Sequence, residues 1–368
     1  LSRPLTRCLC LFSMLVMSAP SLRANTIPPE AWIEDLDTLA EQLLKVHPDF
    51  FTVHSVEEFE TALSELAERS TELDDVQMTM GISRLVAMGG DAHTNSGFGF
   101  AENQMRRMPI QAAVLADGVF INAALKPYQE LIGAEIISIN GVAEDEAIER
   151  VSALFAYENR SKQISTGAGY ITLLPALAEV GILEDHASDT VTITIAQNDT
   201  QREQAFDCSL PDPNAKTRPQ WVNFVQQLEQ PWPRAYRMSR GYYQSDFIAD
   251  HQTMYIAYNK CRDAEDLPFN EFVNFVMSKS EELDAKRIII DFRFNGGGDE
   301  TVIRPLFHEL QKSDRFRDKG DIIGLTSRRT FSSAMSNAHQ LRDWCNGLLI
   351  GEPTGGKPNH FGQIRSFE

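Results

Sequence analysis

The stretch that decides the fold is residues 321–362, DIIGLTSRRTFSSAMSNAHQLRDWCNGLLIGEPTGGKPNHFG. It begins with a short apolar segment, Asp321–Leu325, which predicts a β-strand. A polar turn follows, and small or apolar residues then recur at i, i+4 and i+7: Ala334, Ala338 and Leu341. This spacing predicts a helix that starts near Ser333 and stops at Asn346-Gly347.

A second strand, Leu348–Gly351, follows this helix, and the loop Glu352–Lys357 comes after it. A serine where a strand turns into a helix can present its hydroxyl beside free backbone N–H groups. The loop after the next strand can return a lysine to the same edge of the sheet. Ser333 and Lys357 are therefore candidates for a nucleophile and its base, although a helix cap and a surface lysine are the plainer interpretations.

The preceding residues extend this α/β pattern. Lys286–Phe292 is centred on β-branched residues, as expected for a strand buried on both faces. Helical faces flank it on either side: Phe269, Phe272, Val273, Val276 and Met277 before it, and Val302, Ile303, Leu306, Phe307 and Leu310 after it. Alternating helices and strands predict a sheet of parallel strands with helical crossovers.

A glycine run, Asn295–Gly298, leaves the predicted buried strand. A phosphate cradle would need a fingerprint such as GxxxxGK[ST], which is absent. Two interpretations remain. The run is either a tight turn, or an oxyanion hole at the sheet edge that also carries Thr326–Ser333, here called the serine turn.

The N-terminal half has a different organisation. Helical spacing predicts a helical region over residues 25–100, which contains the turn GGDAHT with His93, a second candidate base. Short apolar runs and an Asn140-Gly141 turn predict a β module over residues 101–205 with a helix near Asp145–Phe155. We expect a linker or crossover over residues 206–240 and an α/β core over residues 241–368.

Composition limits the classes of function. A net charge of −18 argues against a nucleic-acid partner. Residues 1–24 carry Arg3, Arg7 and a short apolar run, which predicts a signal peptide and an exported, periplasmic or secreted protein without an integral membrane segment. Three cysteines would remain after cleavage, so one disulfide is possible, and no metal-ligand spacing such as CxxC or HExxH occurs. We expect no metal and no cofactor.

Three blocks, taken together and in order, resemble the tail-specific (C-terminal processing) serine proteases: IIIDFRFNGGG at 288–298, TFSSAMS at 330–336 and IGEPTGGK at 350–357. GGDAHT at 89–94 and GAEIISING at 133–141 are similar to that family's N-terminal block and to its PDZ-type module. The resemblance implies an α/β, crotonase/ClpP-like core with an inserted PDZ-like β module.

The resemblance also implies roles for individual residues. Ser333 matches the nucleophile and Lys357 its base. Ala334 and a glycine of the Gly296–Gly298 run, foremost Gly297, match the oxyanion-hole donors. His93 matches the histidine base of the related tricorn-type proteases, so the choice between the two bases stays open.

This sequence departs from the family in two ways. Phe361 stands where the family often has a glutamine that orients the lysine, and Gln363 comes two residues later. The family's core normally continues with further strands, so we expect the chain to be truncated after Glu368.

These features together predict an exported serine endopeptidase that cleaves unfolded or C-terminal segments of polypeptides through an acyl-enzyme on Ser333. The alternative is a catalytically inactive peptide- or small-ligand-binding protein on the same scaffold. A metabolic enzyme with a dinucleotide-binding loop is excluded because no GxGxxG turn is present.

Overall fold

The computed structural model describes residues 27–98, 104–210, 219–363 and 365–367. The predicted signal peptide, residues 1–24, and the last residue, Glu368, lie outside these described residues. Within the described ranges, no helix combines the length and apolar character that crossing a membrane requires.

Three helices form the N-terminal region, as the periodicity predicted: α1 (Pro29–Val46), α2 (Val56–Glu68) and α3 (Asp75–Ala87). Two of these helices have a capping box at the N-terminus. Reciprocal hydrogen bonds join Ser55 and Glu58 at α2, and Asp74 and Gln77 at α3. Their apolar faces pack together around Trp32, with the turn that carries His93 following α3.

A seven-stranded antiparallel sheet comes next, in the order β1-β2-β3-β5-β6 with β4 beside β3 and β7 beside β2. Its strands are β1 (Ile110–Val114), β2 (Val119–Leu125), β3 (Glu135–Ile139), β4 (Val142–Ala143), β5 (Thr190–Gln197), β6 (Thr200–Asp207) and β7 (Trp221–Asn223). The helices of this region are α4 (Glu144–Val151), α5 (Arg160–Tyr170) and α6 (Leu174–Glu179). Asn140 and Gly141, with φ of 48° and 82°, make the predicted tight turn between β3 and β4.

The described residues of the stretch predicted as a linker, 206–210 and 219–240, contain more regular structure than the composition of that stretch indicated. β6 runs to Asp207, β7 pairs with β2, and two one-turn helices follow, α7 (Phe224–Gln227) and α8 (Arg234–Arg237). A three-residue strand among prolines and polar residues has too little periodicity to be recognised, because its pairing partner lies about a hundred residues earlier.

The C-terminal sheet has five strands in the order β12-β11-β10-β9-β8. They are β8 (Tyr243–Ile248), β9 (Thr253–Tyr258), β10 (Arg287–Asp291), β11 (Ile322–Thr326) and β12 (Leu348–Gly351). Strands β9 to β12 are parallel, as predicted, and β8 is an antiparallel edge strand. The helices that pack on this sheet are α9 (Phe269–Glu282), α10 (Arg304–Lys312) and α11 (Ser333–Trp344).

Two findings differ from the sequence predictions. The sequence analysis identified no strand at β8 or β9, although β9 is buried along its whole length. The candidate disulfide is not formed either, since Cys208, Cys261 and Cys345 are each free and buried.

The parallel arrangement of the C-terminal sheet also bears on function. The loops that follow strands β10, β11 and β12 all leave from one edge of the sheet.

Candidate active site

The three loops at this edge are joined by hydrogen bonds. The backbone N–H of Phe331 donates to the carbonyl of Asn295 at 3.0 Å, and the N–H of Gly355 donates to the carbonyl of Thr330 at 2.9 Å. The Ser327 hydroxyl donates to the carbonyl of Arg293 at 2.7 Å. The glycine run, the serine turn and the EPTGGK loop therefore form one cluster, as the position of their strands predicted.

The turn before α11 holds Ser332 in an unusual backbone conformation. Its φ of 53° and ψ of −135° lie in a region that non-glycine residues rarely adopt. Such strain is stored where the surrounding structure imposes it, and a sharp strand-to-helix turn of this kind exposes a nucleophilic serine in other hydrolases. Ser332 Oγ makes no hydrogen bond to any residue that the structure describes.

Ser333, the predicted nucleophile, begins α11 and is partly buried. Its Oγ donates a hydrogen bond of 2.6 Å to the carbonyl oxygen of Gly298. The hydroxyl therefore links the helix to the glycine run, and its proton is directed at a carbonyl rather than at a base.

Glycine is required where the run meets the serine turn. A Cβ on Gly297, whose φ is +110°, would lie 2.5 Å from the Cβ and 3.1 Å from the Oγ of Ser332. A Cβ on Gly298, whose φ is +135°, would lie 2.2 Å from the carbonyl oxygen of Cys261. The run therefore lets the serine turn approach its backbone, which a larger residue would prevent.

The two predicted oxyanion-hole donors are already engaged. The N–H of Gly297 donates to Asn295 Oδ1 at 2.9 Å, and the N–H of Ala334 donates to the carbonyl of Phe331 at 3.1 Å. Two neighbouring groups, the N–H of Ser333 and the N–H of Gly298, make no hydrogen bond within the described part of the chain. The free donors are thus each displaced by one residue from the predicted ones.

His93 is buried at the same cluster, with its side chain 5% exposed. Its ring stacks on Phe331 with centroids 4.5 Å apart and on His360 with centroids 4.6 Å apart, so both faces are covered. Neither ring nitrogen has a hydrogen-bond partner among the described residues, although Nδ1 lies 3.7 Å from Asp91 Oδ1. His93 therefore contacts Phe331, which precedes Ser332 in the chain, and the edge of its ring is unpaired among the described residues.

Asp91 is the carboxylate beside His93. Burial alone would raise the pKa of Asp91, but the nearby His93 ring and hydrogen bonds from the His93 backbone N–H, Thr94 and His47 outweigh it and hold the pKa below its usual range. Asp91 therefore stays ionised, and it can orient an imidazole and stabilise it when protonated.

Lys357, the other predicted base, is brought to the cluster only by its backbone. Its N–H donates to Glu158 Oε2 at 3.0 Å, but the residue is exposed. A lysine serves as a base when burial keeps it neutral, and an exposed side chain lacks that environment.

A second lysine, Lys162 on α5, lies in a more suitable environment. Its Nζ is 4.1 Å from the centroid of the Phe331 ring, the same ring on which His93 stacks. Burial lowers the pKa of Lys162, and the negative charge of Glu158 opposes this effect. Lys162, a residue of the β module, therefore contacts the serine turn through Phe331.

A cavity of about 450 Å³ adjoins His93 and Asp91. Its walls come from α1 and from the C-terminal segment, including Leu43, Phe361 and Gln363. Phe361, which replaces the glutamine expected by resemblance, packs edge-on against His47 with ring centroids 5.0 Å apart.

The sequence analysis did not single out several of these residues. Asp91 lies two positions before His93 in the quoted GGDAHT block, and this spacing was a usable signal. Ser332 adjoins the chosen serine, but only its φ distinguishes it. Glu158 and Lys162 carry no local signal, because the fold brings them to the site from a different region of the chain.

Comparison with known proteins adds little to this description. No family model and no curated protein matches the chain. Among solved structures, the photosystem II D1 C-terminal processing protease matches at 12% identity and a TM-score of 0.33, over 89% of this chain and 81% of that one. A Bacteroides fragilis protein assigned to the S41 proteases matches at 13% identity and a TM-score of 0.27, over 69% of this chain and 64% of that one. Similarities this weak establish neither a family nor an activity.

Proposed function

We propose that the chain is a serine-type peptidase of the tail-specific kind, with Ser332 as its nucleophile. The observation that carries the proposal is the strained Ser332 turn, with φ of 53°, packed against the glycine run at the edge of the parallel sheet. The resemblance of the three sequence blocks to processing proteases supports the same class. The crotonase/ClpP-like nature of the core and the PDZ-like nature of the β module are parts of this proposal.

Ser332 replaces Ser333 as the preferred nucleophile for two reasons. The Ser333 proton is donated to the Gly298 carbonyl, whereas Ser332 Oγ has no partner within the described ranges. With Ser332 as nucleophile, the unpaired N–H of Ser333 is the backbone donor that follows the attacking residue, the usual position in an oxyanion hole. The N–H of Gly298 is the second donor.

His93 is the preferred base, and Asp91 orients it. In the proposed mechanism, His93 takes the proton of Ser332 as its Oγ attacks a peptide carbonyl, and the N–H groups of Ser333 and Gly298 bind the oxyanion. His93 then protonates the leaving amine, and water hydrolyses the acyl-enzyme by the reverse sequence. The 3.7 Å separation between His93 and Asp91 is longer than a hydrogen bond, as is common in unliganded sites.

The proposed substrates are extended polypeptide segments. A PDZ-like module would bind a chain end by adding it as a strand to the sheet, which selects unfolded or C-terminal segments. Export to the periplasm or outside the cell follows from the predicted signal peptide at residues 1–24. Recovery of the mature protein from the periplasm with an N-terminus at Asn25 would support export.

Alanine variants of the adjacent Ser332 and Ser333 test which serine is the nucleophile. We expect a fluorophosphonate probe to label the wild type and Ser333→Ala, and to leave Ser332→Ala unlabelled. Hydrolysis of an unfolded protein substrate should follow the same pattern, with Ser332→Ala at background. Labelling that disappears only in Ser333→Ala would restore the sequence prediction.

The second candidate is a binding protein on the same scaffold, favoured by the exposure of Lys357. A wild type that neither reacts with the probe nor hydrolyses the substrate would favour it over a peptidase.

A further inference from the structure

The turn after α3 and the loop before α5 bring together three side chains that could bind a metal ion: Asp91, His93 and Glu158. We propose that they form a binding site for a divalent transition-metal cation, for which Zn²⁺ is the best match. Zinc binds both imidazole nitrogen and carboxylate oxygen, whereas calcium and magnesium prefer oxygen ligands alone.

The spacing of the ligand atoms suits such an ion. One ligand atom from each residue lies within 4.8 Å of the others. Two ligands about 2.1 Å from a tetrahedral zinc are about 3.4 Å apart, so the 3.7 Å between Asp91 Oδ1 and His93 Nδ1 needs little closure. Three protein ligands would leave a fourth position for water.

His93 provides an independent reason to expect a ligand. It is a nine-tenths buried polar side chain, and both of its ring nitrogens lack hydrogen-bond partners within the described part of the chain. Buried polar groups are nearly always paired, so such a group calls for a partner that protein atoms do not supply. Stacking on Phe331 and His360 holds the ring in place and leaves only its edge to bind.

Neighbouring groups already orient the two carboxylates. His47 Nε2 lies 3.3 Å from Asp91 Oδ2, and its Nδ1 accepts the N–H of Asp49, so Nε2 is the nitrogen that donates. The N–H of Lys357 donates to Glu158 Oε2. Outer hydrogen bonds of this kind are what hold metal-binding carboxylates in position.

The site has a consequence that rests on the proposed function. An ion bound to Nδ1 of His93 leaves the ring proton on Nε2, so the imidazole can no longer accept the proton of Ser332. Zinc would therefore inhibit hydrolysis, and a chelator would restore it.

Calorimetric titration of the full chain with Zn²⁺ tests the site without reference to activity. We expect one ion per chain, with the affinity reduced at least tenfold in His93→Ala and in Glu158→Gln, since loss even of an outer-shell partner costs about 10- to 100-fold. The control is His339→Ala, which removes a surface histidine 3.1 Å from Asp343 and should bind as the wild type does. Glu158 is only partly buried, so its variant tests the site even if His93→Ala fails to fold.

An unchanged zinc affinity in Glu158→Gln and in a folded His93→Ala would overturn the metal site, whatever the activity. A chain that binds zinc through these residues and hydrolyses nothing would support the metal site and refute only the peptidase. If hydrolysis persists when zinc saturates the site, the predicted inhibition is wrong. The metal site itself would still be supported by the titration.

Discussion

Ser333 Oγ donates a 2.6 Å hydrogen bond to the carbonyl oxygen of Gly298. This bond joins the first residue of α11 to the loop after β10, two elements that are 35 residues apart in the chain. It leaves the N–H groups of the same two residues unpaired within the described ranges. The arrangement favours an oxyanion hole between the loop and the helix, and it makes the site sensitive to changes in the glycine run.

Gly297→Ala should damage both the fold and the site. The new Cβ would lie 2.5 Å from the Ser332 Cβ, and alanine would be strained at a φ of +110°. We expect the free energy of unfolding to fall by about 1–3 kcal/mol and hydrolysis to fall about 10²-fold because Ser332 is displaced. Chemical denaturation and peptidase assays measure these effects.

Gly296→Ala is the control, because nothing lies within 4 Å of its added Cβ. Its free energy of unfolding should stay within about 0.5 kcal/mol of the wild type. If the two alanine variants behave alike, close packing of Gly297 on the serine turn is not what the site requires.

His93→Gln should lower kcat by about 10²- to 10⁴-fold, the usual contribution of a general base. Lys357→Met should leave kcat within about tenfold of the wild type, because Lys357 is exposed whereas His93 is buried against Phe331. Steady-state kinetics on a soluble peptide substrate compare the two. The reverse ranking would assign the base to Lys357.

Lys162→Met tests the lysine that lies 4.1 Å from the centre of the Phe331 ring. Burial lowers the pKa of Lys162, so this amine is a further candidate for the base. If it packs against Phe331 without exchanging protons, kcat should remain within about tenfold of the wild type. A loss as large as that of His93→Gln would make Lys162 the base.

Asp91→Asn should destabilise the protein in a pH-dependent manner. Hydrogen bonds hold the pKa of Asp91 below its usual range despite burial, so the folded state favours the ionised carboxylate. This contribution is fully present above the unfolded-state pKa of about 3.9 and is lost as the pH falls through the lower folded-state pKa. The variant should lose about 1.5–3 kcal/mol at neutral pH.

Urea denaturation at several pH values checks this prediction. The difference in unfolding free energy between wild type and Asp91→Asn should be constant above about pH 5 and shrink below about pH 4. Asp35→Asn, at an exposed position on α1, is the control and should change the free energy of unfolding by no more than about 0.5 kcal/mol. If the difference in unfolding free energy between wild type and Asp91→Asn grew towards acid pH, the assigned direction of the Asp91 pKa shift would be wrong.

The sequence by itself determined the local elements of this protein. Helical spacing predicted α1, α9 and α11, the β-branched run predicted β10, and the glycine run and serine turn indicated where the site lies. These signals are local, because an amphipathic helix, a buried strand and a tight turn each follow from neighbouring residues. These local signals did not distinguish Ser332 from Ser333 as the nucleophile, since both serines lie where the turn meets the helix.

Only the tertiary structure decided which groups meet. The φ of Ser332, the pairing of Gly297 with Asn295 and the exposure of Lys357 arise from packing between distant segments. Asp91 and His93 meet Glu158 because the turn after α3 contacts Phe331 and the loop before α5 contacts the loop that carries Lys357. Burial and hydrogen-bond satisfaction depend on the whole chain, so no window of sequence contains them.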